Sequence, residues 1–410
     1  MRSHFYIIAA FVLLPFVTKA QQKLSLDEIM AEALKNNNAM HVGQYDIEAQ
    51  RMNKKASFDP GFFTANLMYG QYNSIYKDNN ITVNQMFSMP TVYTSLAKVA
   101  SANINSSEKK LNVTENDIKR KVKTVYYALL YFQSYRKLLE YQDSLYNEFV
   151  KASNVRYKTG ETNFLEKVTA ETQSMQAKTM LSQAESDIII QKNQLKTVLN
   201  REEDIYLQED TIYKLNYALA KDSSIFTSNP YLSYLSSQAG VARAYVTMER
   251  SKLMPNFNVG YSNQTLQGPE EVNNQNVFFN KYYRFQYIQA GIGVPLWVRP
   301  YYARINAAKI NQKAVQENIL LYKRNLKGDM QSYEQDYLKF SKSLTYYENY
   351  AIPQSQLIIS NALKGYKAGE IGYVEFVQAL SRALTIKSDY LKTVHDYNLS
   401  VINIQYLLGE

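Results

Sequence analysis

Two hydrophobic periods alternate along the chain, and the alternation happens twice. From Leu24 to Met52 apolar residues recur at helical spacing, with Ser25 placed to cap the helix ahead of Asp27 and Glu28. At Pro60 and Gly61 the period drops to two. Phe63, Ala65, Leu67 and Tyr69 then share one face, with Thr64 and Asn66 opposite. After a polar loop from Gly70 to Asn80, Ile81, Val83, Phe87 and Met89 alternate with Thr82, Asn84 and Ser88. The pattern predicts a strand pair over 62–89. Strands of about ten residues can cross a bilayer as tilted barrel strands, although an exposed hairpin shows the same alternation.

Neither Pro nor Gly occurs from Thr91 to Thr159, which predicts a helix on the order of 100 Å long at 1.5 Å per residue. Val122, Val125, Leu129, Phe132, Arg136 and Leu139 keep the 3-4 spacing of a coiled-coil seam, with Arg136 the break. Past Gly160 the seam resumes at Leu181, Ala184, Ile188, Gln191, Leu195 and Val198, giving a helix hairpin over 91–200. A helix of such length needs a partner along it, which the next helix and neighbouring subunits would supply.

A mixed, charged stretch from Arg201 to Phe226 joins two halves, and the order then repeats. Asn229-Pro230 opens a helix to about Leu253, in the place of Asn38-Ala39, and Pro255 takes the place of Pro60. A second strand pair is expected over 256–296. Phe257, Val259 and Tyr261 mark its first strand, a loop follows from Gly268 to Lys281, and the second strand runs from Tyr282 to Leu296. In that last strand the apolar phase moves from Tyr283, Phe285 and Tyr287 to Ile288, Ala290, Ile292 and Val294, which predicts a bulge or a strand that continues above the membrane. Pro295 stands where Pro90 stood. A second helix hairpin follows over 301–409, with a kink expected at Pro353. Its last helix carries the most regular seam: Phe376, Leu380, Ala383, Lys387, Tyr390, Val394, Tyr397, Val401, Ile404 and Leu408. The repeats are therefore 21–225 and 226–410.

Within each hairpin sits the same short motif. Tyr157-Lys158-Thr159-Gly160-Glu161 recurs as Tyr366-Lys367-Ala368-Gly369-Glu370, an interval of 209 from 157 to 366. Each Gly suits the left-handed C′ position closing one helix, and Glu166 or Glu375, six residues on, suits the start of the next. Each motif thus predicts a tight reversal between long antiparallel helices, and its duplication points to an internal repeat.

Composition adds an address. Arg2 precedes an apolar run from Ile7 to Val17 that ends in Thr18-Lys19-Ala20, the form of a secretory signal over 1–20 cleaved before Gln21. With no Cys the chain has no disulfide, no thiolate chemistry and no lipid-bearing Cys. The net charge of +9, or about +7 without Arg2 and Lys19, is spread among 37 acidic residues. The densest basic cluster, Lys119-Arg120-Lys121-Val122-Lys123, falls on a helix as a solvated face, so no nucleic-acid partner is expected.

Site chemistry is lacking. His41 and His395 have no companion at metal-ligand spacing, and no phosphate loop, nucleophile elbow or zincin motif occurs. Glu202-Glu203 and Glu270-Glu271 lie in polar segments, as solvated carboxylates do. The reading is of a non-enzyme without cofactor or metal.

In its paired Tyr-Lys-x-Gly-Glu turns, Asn229-Pro230, and Val294-Pro295-Leu296-Trp297 leading to Arg299 and Arg304, the chain resembles the bacterial outer-membrane efflux protein family, the TolC-like channels. The resemblance covers essentially all of it after residue 20. It implies a mainly α fold with a membrane β-barrel: a homotrimer whose protomers each give four strands to one twelve-stranded barrel in outer-membrane lipid, with helices continuing as a periplasmic tunnel. It implies docking of a periplasmic adaptor, working with an inner-membrane pump, at turns marked by Tyr157, Gly160, Tyr366 and Gly369. It also implies an entrance narrowed by acidic residues, here Glu375 with Glu166 as its counterpart; the family's second acidic position is Gln378 in this chain. The expected function is a passive export duct of a tripartite efflux or type I secretion system. The alternative is a periplasmic coiled-coil scaffold or adaptor-like protein with no membrane barrel.

Overall fold

The computed structural model describes residues 23–219 and 225–410; the expected signal segment lies outside them. In chain order the elements are β1 (Lys23–Leu24), α1 (Leu26–Asn36), α2 (Asn38–Lys55), β2 (Thr64–Gly70), β3 (Asp78–Ser88), α3 (Pro90–Lys158) and α4 (Phe164–Leu199). There follow β4 (Tyr206–Leu207), α5 (Ile225–Ser228), α6 (Pro230–Ser251), β5 (Asn256–Gln264), β6 (Gly268–Val272), β7 (Gln275–Phe279) and β8 (Phe285–Gly293). The chain closes with α7 (Arg299–Tyr346), a π-helical turn (Tyr347–Ala351), α8 (Ile352–Ala368) and α9 (Tyr373–Leu408). Each strand pair is followed by a helix hairpin, as the two periods predict.

The elements form two compact units. One holds the described part of Met1–Ala33 with Val125–Tyr213 and Gln354–Lys392. Its core is a seam of Leu145, Tyr146, Phe149, Ala170, Ala177, Ile359, Phe376, Leu380 and Ala383, in which small alanines opposite aromatic rings let the helices close up. The first part of the join, Arg201 to Tyr213, contributes here: β4 pairs in parallel with β1, Leu24 opposite Leu207, and the Ile212 amide donates to Ser134 Oγ at 2.7 Å.

The second unit holds Leu34–Thr124, Lys214–Pro353 and Thr393–Glu410. Asn229 caps α6, accepting from the Leu232 amide at 2.8 Å and donating to the Leu407 carbonyl at 2.9 Å. Leu232, Leu326 and Leu407 pack beside it. The first expected helix is in fact two. Asn37 is extended (φ −69°, ψ 126°) and caps α2 through the Ala39 amide, so the counterpart of Asn229 is Asn37 rather than Asn38. An Asn side chain competes with the helix for backbone N–H groups and breaks it where apolar spacing alone would run on.

The unit's sheet is antiparallel in the order β2-β3-β5-β8. Its pairing runs without interruption from Asn256↔Gly293 to Gln264↔Phe285, so the expected bulge in the fourth strand is absent. Phe285 and Tyr287 share a face with Gln289, while Ile288, Ala290 and Ile292 occupy the other. The apparent phase slip came from two aromatics on the polar face. The predicted loop from Gly268 to Lys281 is a hairpin, β6 with β7, turned by Asn273 and Asn274 at φ +55° and +59°. Asn tolerates that left-handed backbone. The predicted kink at Pro353 takes the form of the π-helical turn just before it.

The burial of the sheet is inverted. Ser262 is fully buried while Val259 is 47% exposed, and Leu67 and Ile288 are exposed by 72% and 79%. The face of Leu67, Ile81, Val83, Val259, Ile288 and Ile292 is apolar and open. The face of Asn66, Thr82, Asn84, Asn258, Ser262 and Gln289 is mainly polar and cross-linked, with Asp78 buried at its looped end. Thr82 and Ser262 hydroxyls lie 2.9 Å apart, Ser262 donates to Asn80 Oδ1 at 2.8 Å, and Gln289 Nε2 donates to Asn84 Oδ1 across Gly260. A Cβ on Gly260 would collide with both amides of that bond.

Candidate functional site

The paired turns lie in the first unit. Both end their helices the same way. The Glu161 amide donates to the Arg156 carbonyl at 2.8 Å and the Gly160 amide to Tyr157 at 3.2 Å; the Glu370 amide donates to Gly365 at 2.8 Å and the Gly369 amide to Tyr366 at 3.2 Å. These are Schellman closures, which need a left-handed C′ residue, and Gly160 and Gly369 supply it at φ +78° and +74°. No atom lies within 4 Å of where a Cβ would stand on either glycine. Backbone strain is therefore what a substitution there would meet.

The side chains of the two copies diverge. Glu166 is 2% exposed. Its Oε1 accepts from Tyr366 Oη at 2.7 Å and from Arg156 Nη1 at 3.3 Å, its Oε2 accepts from Thr162 Oγ1, and its amide donates to the Asn163 cap at 3.0 Å. Arg156 Nη1 also donates to Tyr366 Oη at 3.1 Å. The Tyr366 ring stacks on Phe376 with centroids 4.6 Å apart and meets the edge of Phe149 at 5.6 Å. Burial, then the bond to Glu166, push the Tyr366 phenol up to about 12, against the opposing pull of Arg156.

Glu375, by contrast, is exposed and forms no ion pair among the described residues. Glu166 and Glu375 share a position relative to their glycines but not an environment, and the reason is one residue. Four positions before Gly160 stands Arg156, whereas four before Gly369 stands Gly365. The first carboxylate has a cation to draw it inward and the second has none. Tyr157 and Tyr366 are likewise unlike. Tyr157 is 41% exposed, set against Phe164 at 6.0 Å, while Tyr366 is half-buried against the core.

No family model matches the chain, and no curated protein matches it in sequence. Solved structures do. CusC, studied for the conformational changes that accompany its folding and transmembrane channel formation, aligns over 94% of this chain and 92% of its own, with TM-score 0.78 and 14% identity. The CmeC outer membrane channel of Campylobacter jejuni aligns over 94% and 85%, with TM-score 0.78 and 14% identity. The open state of the MtrE outer membrane channel of Neisseria gonorrhoeae aligns over 94% and 88%, with TM-score 0.73 and 15% identity.

The chain has the TolC-like fold of outer-membrane channels.

At such identities the likeness is one of fold, and the site must be argued from this chain's own residues. On the TolC-like fold, α9 presents Glu375, Gln378, Arg382 and Thr385 along one exposed stripe, with Gln173 of α4 across an open groove. Phe376, Leu380 and Ala383 of the same helix are buried on its other side. Sequence reasoning missed Arg156, Thr162 and Arg382. A comparison of the two copies with each other, Arg156 against Gly365, carried the signal for the first.

Proposed function

We propose that the protein is the outer-membrane duct of a tripartite export system: a homotrimer whose sheets join in one barrel in outer-membrane lipid and whose paired turns meet a periplasmic adaptor serving an inner-membrane pump. One observation carries the reading, the inverted sheet. Water does not tolerate a contiguous apolar face of strands this long at low cost, at roughly 25 cal/mol for each Å² left exposed. Lipid on that side and a water-filled lumen on the Asn, Ser and Thr side satisfy both faces at once. Strands of seven to eleven residues suit that crossing.

In this reading the duct does no chemistry, and opening is a loosening of the turns. Tyr366 and Arg156 fasten the carboxylate of Glu166, and the exposed Glu375 stripe of α9 lines the entrance. Three copies of Glu375 about one axis would repel each other and attract cations. The test is fractionation. Heat-resistant trimers found in outer-membrane fractions and retained through a salt wash support the duct. Full release by the salt wash identifies the soluble coiled-coil scaffold instead.

A further inference from the structure

The apolar face of the sheet changes character at the end where strands are joined by loops. Along it the rows read Phe87, Phe257 and Ile292, then Gln85, Val259 and Ala290, then Val83, Tyr261 and Ile288. Gln85 is no break in this band, because its amide donates to the Pro60 carbonyl at 2.8 Å and the Met86 carbonyl at 3.0 Å. The next row mixes Leu67 and Ile81 with Asn263 and Gln286. Beyond it come Tyr69 and Asn79, and the side chain of Arg284 reaches this same face. From Phe87 to Asn79 the rise is about 26 Å along the strand.

Arg284 is held rather than neutralised. Its Nε donates to Asn263 Oδ1, its Nη1 to Asn79 Oδ1, and its Nη2 to the Asn263 carbonyl at 3.3 Å. All three acceptors are uncharged, and Arg284 takes part in no ion pair among the described residues. A guanidinium has five N–H groups, so one remains on each terminal nitrogen, fixed as a fork and carrying full charge. The nearest carboxylate in sequence on these strands, Asp78, is fully buried and accepts from Thr265 Oγ1 and the Gln267 amide, both at 2.9 Å. At the rim the Tyr69 ring, paired with Asn79, and that of Tyr283, next to Arg284, are exposed. Amphipathic rings of this kind sit at the level of lipid headgroups.

We infer that this rim is a headgroup site. The fork of Arg284, set by Asn79 and Asn263, takes the phosphate of an outer-leaflet lipid whose acyl chains lie along the Ile81, Val83 and Ile288 rows. The inference rests on the duct reading, which puts the helices in the periplasm and the looped end of the sheet at the outer leaflet. Charge complementarity and geometry point to phosphate: an immobilised guanidinium with one N–H free on each terminal nitrogen suits phosphate oxygens, and no other charged residue stands on that face of the four strands.

The experiment uses the full-length protein in nanodiscs of phosphatidylcholine containing either lipid A or dephosphorylated lipid A, with retained lipid counted by native mass spectrometry. Wild type should retain lipid A over the dephosphorylated form, and Arg284→Gln should lose that preference by about fivefold, the factor equal to about 1 kcal/mol for one cation at an anionic lipid surface. Equal preference in the variant overturns the site. Displacement of the lipid by millimolar inorganic phosphate overturns it also, since the site would then be one for any anion. Leu67→Trp in a Trp297→Phe background separates this failure from that of the duct. Quenching by brominated acyl chains with the preference unchanged refutes the headgroup site alone, and absence of quenching refutes the lipid-facing sheet beneath it.

Discussion

Replacing Tyr366 by Phe removes one hydroxyl from the Glu166 cluster and nothing else. The ring keeps its stack on Phe376 at 4.6 Å and its contact with Phe149. What is lost is the 2.7 Å bond to Glu166 and the 3.1 Å bond from Arg156. A hydrogen bond to a buried charge contributes about 1.5–3 kcal/mol. The Arg156 side chain is 36% exposed, so water replaces part of its loss. The Glu166 carboxylate is 3% exposed and has no such relief. The lower half of the range applies, about 1.5–2 kcal/mol, which moves a closed-to-open equilibrium by roughly 10- to 30-fold if the cluster parts on opening. Single-channel recording in planar bilayers reads this as an increased open probability. Open probability in Tyr366→Phe equal to wild type, with trimer stability unchanged, would refute the idea that this cluster holds the turns closed. The phenol also adds a pH dependence. Its pKa is raised from 10.0 to about 12 in the folded chain, so the unfolded chain loses this proton first. The contribution to stability is complete below pH 10 and declines as pH rises toward 12. Thermal melts across that interval should show a slope that is shallower in Tyr366→Phe, the raised phenols of Tyr406 and Tyr322 keeping the remainder.

Glu375→Gln should reduce cation selectivity and block by multivalent cations, measured as reversal potential under a salt gradient, whereas Glu203→Gln should change neither. Asn at both Gly160 and Gly369 keeps the left-handed backbone accessible but adds bulk, so export should fall while trimers assemble; normal export would leave the glycines as helix caps alone. Gly260→Ala should destabilise the trimer to heat, because the added methyl group displaces the Asn84–Gln289 bond. Ile288→Arg, in the middle row of the apolar face, should cost about 2–4 kcal/mol near the bilayer midplane, and Asn66→Arg far less; equal losses in urea titrations of refolded protein would argue against the assignment of faces.

Much of this was legible in the chain because period is a direct image of burial. The change from 3.6 to 2 placed both strand pairs, and the seam of α9 placed Phe376, Leu380 and Ala383 in the core where they lie. Gly160 and Gly369 were readable because only a residue without Cβ closes such a turn freely. The failures were local and polar. Asn37 ended a helix that apolar spacing continued, and Asn273-Asn274 turned a hairpin where a loop was expected, since side-chain hydrogen bonds and left-handed backbone leave no hydrophobic period behind. Phe285 and Tyr287 suggested a slip in register because aromatic residues count as apolar although they sit on the polar face. The Glu166 cluster lay beyond reach for a different reason. Beside the local Thr162, its partners Arg156 and Tyr366 are ten and two hundred residues away, and only the fold brings Tyr366 to it.

The central claim is that one face of the sheet meets lipid and the other water. Single cysteines at Leu67, Asn66, Val259 and Asn258 in this Cys-free chain, probed in outer-membrane vesicles, test it most directly. A lipid-soluble maleimide should label Leu67→Cys and Val259→Cys and spare the other two, while a charged, membrane-impermeant maleimide entering the lumen should do the reverse. Equal labelling of neighbouring positions 66 and 67 by both reagents would contradict the account.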